Sequence, residues 1–266
     1  MKQKLIALGL CLALFGGGGA AAQELPRLEI NGVGAEGAAH VENGVTYVSL
    51  RTVSEYLDPD AQVSWEMGRA VVRGEGLDLS AVPGEKWLIS NDRYVYIAGG
   101  VKLENGKTLV PIRALAEAFG AEVSWDGSTN TIRVETLGIP PVAMYDGDAV
   151  YWLSRIISAE SRGEELEGQI AVGNVVLNRV KDEAFPDTVY GVIFDNRWGG
   201  QFEPVRNGMI YQEPAEQSVI AAKLCLGGAS VVGESLYFLN PKKAENLWTV
   251  YHRTYLMSIG VHDFYQ

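Results

Sequence analysis

The N-terminal half of the chain carries one hydrophobic–polar pattern twice. The first copy begins Gly44-Val-Thr-Tyr-Val-Ser-Leu-Arg51, and the second begins Gly106-Lys-Thr-Leu-Val-Pro-Ile-Arg113. Each opens with a β-type run, continues with apolar residues at helical spacing, and reaches a second strand that ends in Val-Ser-Trp. A turn and a third strand (131–134) follow in the second copy. The pattern predicts a duplicated α+β unit.

The C-terminal half changes to helical spacing. A first predicted helix (150–159) places Leu153, Ile156 and Ile157 on one face, and a second apolar helix is predicted over 166–180. Glu160 directly follows the first helix. Because two apolar helices are expected to pack together, the Glu160 carboxyl would be partly desolvated, and its pKa would rise toward the value that a general acid needs. A solvated charge at a helix end is the alternative interpretation.

Residues 138–148 separate the two patterns and have no periodicity. They contain the pair Pro140-Pro141, which favours an extended spacer. We therefore expect an α+β protein of two domains, in which a repeat domain of short strands and helices (28–137) precedes a mainly helical domain (149–266). The chain length of 266 residues fits two modest domains.

The first residues are typical of a secretory signal. Lys2 and Lys4 precede a short apolar run, and small residues follow up to Ala22. The run is shorter than the roughly 20 residues that span a membrane, so we predict a signal peptide over 1–22 and a secreted protein without a transmembrane segment in the mature chain. A lipoprotein anchor on Cys11 is the competing interpretation; Leu10 disfavours it, because a small residue is preferred there.

Composition narrows the function classes. The net charge of −11 argues against a nucleic-acid partner, which calls for clustered basic residues. It also means that recognition of an anionic wall glycan would need a shaped groove. Only two cysteines are present, and Cys11 would leave with the signal, so Cys225 would have no intramolecular disulfide partner.

The second repeat contains Val-Pro-Ile-Arg-Ala-Leu-Ala-Glu-Ala-Phe-Gly-Ala-Glu-Val-Ser-Trp-Asp over 110–126. This string resembles the copper amine oxidase N-terminal-like domain, a stalk-like module. Copper is not expected, since a copper site of that kind needs several histidines and this half contains only His40. We interpret the duplicated Arg and Trp positions as a repeated core and salt-bridge scaffold: Arg51, Arg113, Trp65 and Trp125. The alternative is that the domain anchors the protein to a cell wall or spore surface.

The C-terminal half carries a second resemblance. Ala159-Glu160-Ser-Arg-Gly163-Glu164 opens a string that continues through Gln201-Phe202-Glu203-Pro204-Val205 and Leu236-Tyr237-Phe238-Leu239-Asn240-Pro241. It resembles the spore cortex-lytic, germination-type cell wall hydrolases. The resemblance implies a lysozyme-like fold, attack on peptidoglycan and a catalytic glutamate at Glu160. It also implies four substrate-binding residues: Gln201, Phe202, Tyr237 and Asn240.

The resemblance favours one reaction over another. Ordinary glycoside hydrolysis needs a second carboxylate, for which Glu164, Asp195 and Glu203 are available. A lytic transglycosylase needs only one, because the muramic acid 6-hydroxyl is the nucleophile. We expect this second route, with cleavage between N-acetylmuramic acid and N-acetylglucosamine, a 1,6-anhydro product, and no metal or cofactor.

Three other functions stay open. A cysteine endopeptidase would use Cys225 with His252 or His262, but Cys225 falls late in a predicted helix, where a reactive thiolate is not favoured. A zinc-dependent N-acetylmuramoyl-L-alanine amidase lacks a His-Glu-x-x-His pattern here. A non-catalytic wall-binding protein is the third. Trp198 is assigned equally to a groove wall or to the core.

Overall fold

The computed structural model describes residues 25–35, 39–138, 140–197, 200–244 and 248–266. The predicted signal peptide (1–22) and Trp198 lie outside these ranges. Within them, no helix has both the length and the apolar character needed to cross a membrane.

Strands dominate the described N-terminal half. They are β1 (Arg27–Ile30), β2 (Val33–Gly34), β3 (Ala39–Glu42), β4 (Val45–Ser49), β5 (Gln62–Glu66), β6 (Arg69–Gly74), β7 (Leu77–Ala81), β8 (Trp87–Ser90), β9 (Arg93–Tyr96), β10 (Lys102–Glu104), β11 (Lys107–Pro111), β12 (Ala121–Asp126) and β13 (Thr131–Thr136). Two short helices, α1 (Leu50–Leu57) and α2 (Ile112–Ala118), follow β4 and β11. The strand–helix–strand–strand unit is therefore present twice, as the sequence predicts.

The two units meet in one four-stranded sheet with the order β10-β11-β4-β3. The central strands are antiparallel, with Val48 opposite Val110, Ser49 opposite Leu109 and Tyr47 opposite Pro111. This register is symmetric about the Val48–Val110 pair, so a local pseudo-twofold axis relates the two repeats. Both valines are fully buried, which places the axis in the core.

Two further sheets complete this half. One has the order β12-β13-β1-β2, with β1 parallel to β13. The other has the order β5-β6-β7-β8-β9, and its last three strands lie between the two repeats in the sequence. Helix residues such as Leu50 and Leu115 are fully buried in the shared core.

The described part of the C-terminal half is mainly helical, with one small sheet of order β14-β16-β15. Its elements are α3 (Gly147–Ser161), α4 (Leu166–Lys181), α5 (Val189–Ile193), α6 (Glu203–Asn207), α7 (Glu216–Leu226), α8 (Trp248–His252), β14 (Tyr237–Leu239), β15 (Tyr255–Ile259) and β16 (His262–Tyr265). The predicted α+β class with a mainly helical second half is confirmed. Helix α3 begins at Gly147, before its predicted start at 150, because Asp146 caps it, accepting hydrogen bonds from the backbone N–H groups of Asp148 and Ala149 at 2.8 and 3.1 Å.

The β8–β9 hairpin packs on the helical half. Trp87, Tyr94 and Tyr96 contact the apolar core that α3, α4 and α7 form. Tyr96 donates a hydrogen bond to Glu167 at 3.2 Å, and Lys86 forms an ion pair with the same carboxylate. The β8–β9 hairpin therefore forms a contact surface with the C-terminal helices. Sequence periodicity did not indicate this contact. The domain boundaries at 137 and 149 stay a prediction.

The interpretation of Trp65 and Trp125 as core residues is wrong. Their side chains are 52% and 54% exposed. Each lies near the end of its strand, beside the turn that follows, and so projects past the edge of the core. Arg51 does approach Glu55, at 3.6 Å, but both side chains are mostly exposed. The duplicated tryptophans and arginines are surface features.

Candidate active site

A groove runs across the C-terminal half beside the end of α3, and we call it the Glu160 groove. Its wall includes Glu160, Glu164, Gln201, Phe202, Glu203, Asn240 and His262. The end of α3, the start of α6 and the β15–β16 turn thus bring together residues that are far apart in the sequence.

Glu160 lies in the last turn of α3. The opposite face of this helix is anchored in the core by Leu153, Ile156 and Ile157, all fully buried. The Glu160 side chain itself is half-buried. Burial, reinforced by the nearby negative charge of Glu203, raises the pKa of Glu160 to about 7. The carboxyl is therefore partly protonated at neutral pH, as expected from its place between two apolar helices in the sequence.

The motif Gln201-Phe202-Glu203 alternates its side chains between the core and the groove. Phe202 is buried and packs in the helical core beneath the groove. Gln201 is half-buried, and its Oε1 accepts a hydrogen bond from Arg179 Nη1 at 3.3 Å. Glu203 begins α6 and is exposed. Phe202 therefore supports the groove, while Gln201 and Glu203 present polar atoms to it.

Arg179 organises this wall through contacts that the sequence did not indicate. It is buried, and its Nε donates to the backbone carbonyl of Leu236 at 2.7 Å. Its guanidinium lies 5.0 to 5.5 Å from the ring centres of Phe185, Phe202 and Tyr237. Burial lowers the pKa of Arg179 to about 10, which leaves the group charged at neutral pH.

Asn240 and Tyr237 have different positions. Asn240 lines the Glu160 groove, and its Oδ1 accepts a hydrogen bond from the backbone N–H of Lys242 at 3.0 Å. Tyr237 is not among the described residues of the groove wall. Its hydroxyl accepts a hydrogen bond from Arg253 at 2.9 Å. The structure thus brings four of the five predicted site residues together and leaves Tyr237 outside the described groove wall.

Two of the three candidate second carboxylates have structural partners. Glu164 accepts a hydrogen bond from the backbone N–H of Val261 at 3.0 Å and so holds the β15–β16 turn against the groove. Asp195 is buried and forms an ion pair with Arg197 at 2.8 Å, which holds the pKa of Asp195 below its usual range. Glu203 is therefore the carboxylate that influences Glu160.

Cys225 has the properties of a core residue. Its thiol is buried, donates to the carbonyl of Ile170 at 3.4 Å, and has a pKa raised by burial. His262 does line the Glu160 groove, and burial lowers its pKa, so that the ring is neutral near pH 7. The buried thiol disfavours the endopeptidase alternative.

One group of side chains in the described ranges could share a cation, formed by His40, Glu42 and Glu104 on β3 and β10. Lys102 already binds the carboxylate of Glu42. A metal ion there would have to compete with this ammonium group. The Glu160 groove contains a single histidine among its described residues, His262.

Comparison with known proteins assigns both halves. Residues 163–265 match the family described as Cell Wall Hydrolase. This match covers most of the C-terminal half, which we call the cell wall hydrolase half. Residues 29–134 match the family described as Copper amine oxidase N-terminal domain. This match confirms the resemblance of the predicted repeat domain to the copper amine oxidase N-terminal-like domain.

The cell wall hydrolase half is homologous to spore cortex-lytic enzymes. The enzyme of Oceanobacillus iheyensis is 36% identical over 148 residues, which are 54% of this chain and 52% of that protein. The enzyme of Bacillus cereus is 38% identical over 120 residues, 45% of each protein. This chain therefore spans about half the length of these curated relatives. The catalytic domain of the germination-specific lytic transglycosylase SleB from Bacillus anthracis is 36% identical, with 97% of that chain and 46% of this one covered and a TM-score of 0.42.

Proposed function

We propose that the cell wall hydrolase half cleaves the glycan strand of peptidoglycan between N-acetylmuramic acid and N-acetylglucosamine, as a lytic transglycosylase with Glu160 as its catalytic acid. The observation that carries this proposal is the half-buried carboxyl of Glu160 in an open groove, with a pKa raised to about 7. The matched family range begins at Gly163, so the assignment of Glu160 depends on this geometry.

The reaction needs one group that first donates a proton and then accepts one. Protonated Glu160 donates its proton to the glycosidic oxygen as the bond from that oxygen to C1 of the muramic acid breaks. The resulting carboxylate accepts the proton of the muramic acid 6-hydroxyl, whose oxygen forms the new bond to C1. N-acetylglucosamine leaves with a free 4-hydroxyl, and the other product is a 1,6-anhydro sugar. A pKa near 7 suits both proton transfers.

Ordinary hydrolysis is the second candidate, because Glu203 lines the same groove as Glu160 and is available as a second carboxylate. Both carboxylates line the Glu160 groove, and the negative charge of Glu203 contributes to the raised pKa of Glu160. In hydrolysis, Glu203 would act as the second carboxylate and water would take the place of the 6-hydroxyl. The new chain end would then be a reducing sugar.

The setting of this activity is also a proposal. The expected signal peptide and the homology to spore cortex-lytic enzymes support a secreted protein of the cell wall or spore envelope, with the spore cortex as a substrate. The copper amine oxidase N-terminal-like half would hold the enzyme on the wall. The raised pKa of Glu160 favours glycan cleavage over the amidase and the non-catalytic wall protein, because neither of these functions requires a carboxyl group that titrates near neutral pH.

A pair of isosteric substitutions tests the proposal. Glu160→Gln should lower turnover of purified peptidoglycan by roughly 10²-fold or more, the scale of positioned acid catalysis. Glu203→Gln should keep most of the activity. If Glu160→Gln turns over normally, the proposal is wrong; if both variants are inactive while folded, hydrolysis with two carboxylates replaces the transglycosylase route.

A further inference from the structure

The pseudo-twofold axis between β4 and β11 relates two surface grooves of the N-terminal half. The Trp125 groove is formed by 111–113 and 123–125 of the second repeat and by 44–46 of the first. The Trp65 groove is formed by 49–52 and 63–65 of the first repeat and by 106–108 of the second. Each repeat therefore supplies a Trp and an Arg to one groove and a Gly-x-Thr segment to the other.

The grooves expose equivalent apolar surface. Trp65 pairs with Ala70 across β5 and β6, and Trp125 pairs with Ile132 across β12 and β13. Both indoles are about half exposed, at 52% and 54%. Leu103 in the Trp65 groove and Val41 in the Trp125 groove are 53% and 46% exposed. Large apolar side chains at matching surface positions of both repeats indicate a binding surface.

The charge of the grooves contrasts with that of the whole protein. Among the described residues, no Asp or Glu lines either groove. The Trp125 groove contains Arg113, and the Trp65 groove contains Lys107 and Arg51. Arg51 also lies 3.6 Å from Glu55, outside the groove lining, and both side chains are mostly exposed. The chain as a whole has a net charge of −11. Local cationic spots on an acidic molecule favour an anionic ligand.

We propose that the Trp65 and Trp125 grooves are two equivalent binding sites for the glycan strand of peptidoglycan. The exposed indole faces would stack on sugar rings, and Ser and Thr hydroxyls of both walls would bond their hydroxyl and acetamido groups. Arg51 and Arg113 would bind carboxylates of the peptide stems. The proposal depends on the proposed function, since the catalytic half then acts on the same polymer.

Two equal sites suit a ligand made of repeating units. Once one groove is occupied, the second engages the same strand or its neighbour at a high effective concentration. Bivalent binding of this kind can exceed single-site affinity by roughly 10²-fold or more without any new contact. A small or unique ligand would gain nothing from the duplication.

The test is co-sedimentation of the full chain with insoluble peptidoglycan freed of teichoic polymers. Glu160→Gln is present in every sample to keep the wall intact. Trp65→Ala or Trp125→Ala alone should weaken apparent affinity at least tenfold through lost bivalency, and the double substitution should weaken it further. The double variant Arg51→Gln, Arg113→Gln changes only exposed side chains and should also weaken binding, because it removes the cations proposed to bind the stem carboxylates. Tyr56→Ala and Lys181→Gln, an exposed aromatic and an exposed cation outside both grooves, should bind normally.

Several results would overturn the proposal. Binding of the folded double Trp variant within twofold of Tyr56→Ala would exclude the grooves as glycan sites. If the Trp substitutions weaken binding to a teichoic polymer but not binding to stripped peptidoglycan, the grooves are sites for that polymer. A concentration-dependent dimer that the double variant abolishes would assign them to a second copy of the chain. Cleavage of soluble strands is measured separately, so failure of the catalytic proposal appears there, while the binding result stands by itself.

Discussion

The substitution Glu160→Gln should make the folded protein more stable, and by an amount that depends on pH. Packing at the end of α3 raises the pKa of Glu160 from 4.5 to about 7. Since one pKa unit corresponds to about 1.4 kcal/mol, ionising this group costs the folded state about 3 kcal/mol. The neutral glutamine keeps the shape of the side chain and never bears that charge.

The direction of the pH dependence follows from the raised pKa. Below about pH 4.5, Glu160 is protonated in the folded and unfolded states and contributes no penalty. Between about pH 4.5 and about pH 7, the unfolded chain loses this proton while the folded protein keeps it, so the wild type is progressively destabilised relative to Glu160→Gln, and the loss is complete above about pH 7. The variant should therefore match the wild type near pH 4 and exceed it by about 3 kcal/mol above pH 8.

Urea unfolding of both proteins at several pH values measures this difference. Glu183→Gln, the same change at an exposed carboxyl, is the matched control. A stability difference for Glu160→Gln that is the same at pH 4 and pH 8 would refute the raised pKa, and with it the reason for assigning acid catalysis to this residue.

Three further predictions follow from the same structure. Activity that needs protonated Glu160 should fall above about pH 7, and Glu203→Gln should move this limb to lower pH because a neighbouring negative charge is removed; an unchanged profile would show that the two groups do not interact. Cys225→Ser should leave activity within tenfold because the thiol is buried, and added chelator should do the same because the described groove wall holds a single histidine. A larger loss in folded protein would restore the endopeptidase alternative for the substitution or the amidase alternative for the chelator. The segment 147–266 should fold and cleave soluble strands with a lower melting temperature, since it loses the cover of the β8–β9 hairpin; an aggregated fragment would contradict separate domains.

Local pattern was sufficient for much of the fold. The duplicated strand–helix–strand unit and both long C-terminal helices follow from periodicity, because each element buries one face. The position of Glu160 between apolar helices correctly indicated a raised pKa. These features depend on neighbours in the sequence, or on a repeat that is visible in it.

Features that depend on remote contacts were missed or wrong. An alternating strand pattern cannot show where a sheet extends past the core, so Trp65 and Trp125 were placed inside. Tyr237 lies outside the described groove wall, where Arg253 donates a hydrogen bond to its hydroxyl, and Arg179 on α4 donates a hydrogen bond to Gln201. Each of these contacts joins segments that no local period connects.

The most direct test of the central claim is mass spectrometry of the fragments that the full chain releases from purified peptidoglycan. The account predicts fragments that end in 1,6-anhydromuramic acid and that are absent with Glu160→Gln. Reducing muramic acid ends would contradict the transglycosylase reaction, and intact glycan strands with cleaved peptide stems would contradict the assignment of the glycosidic bond itself.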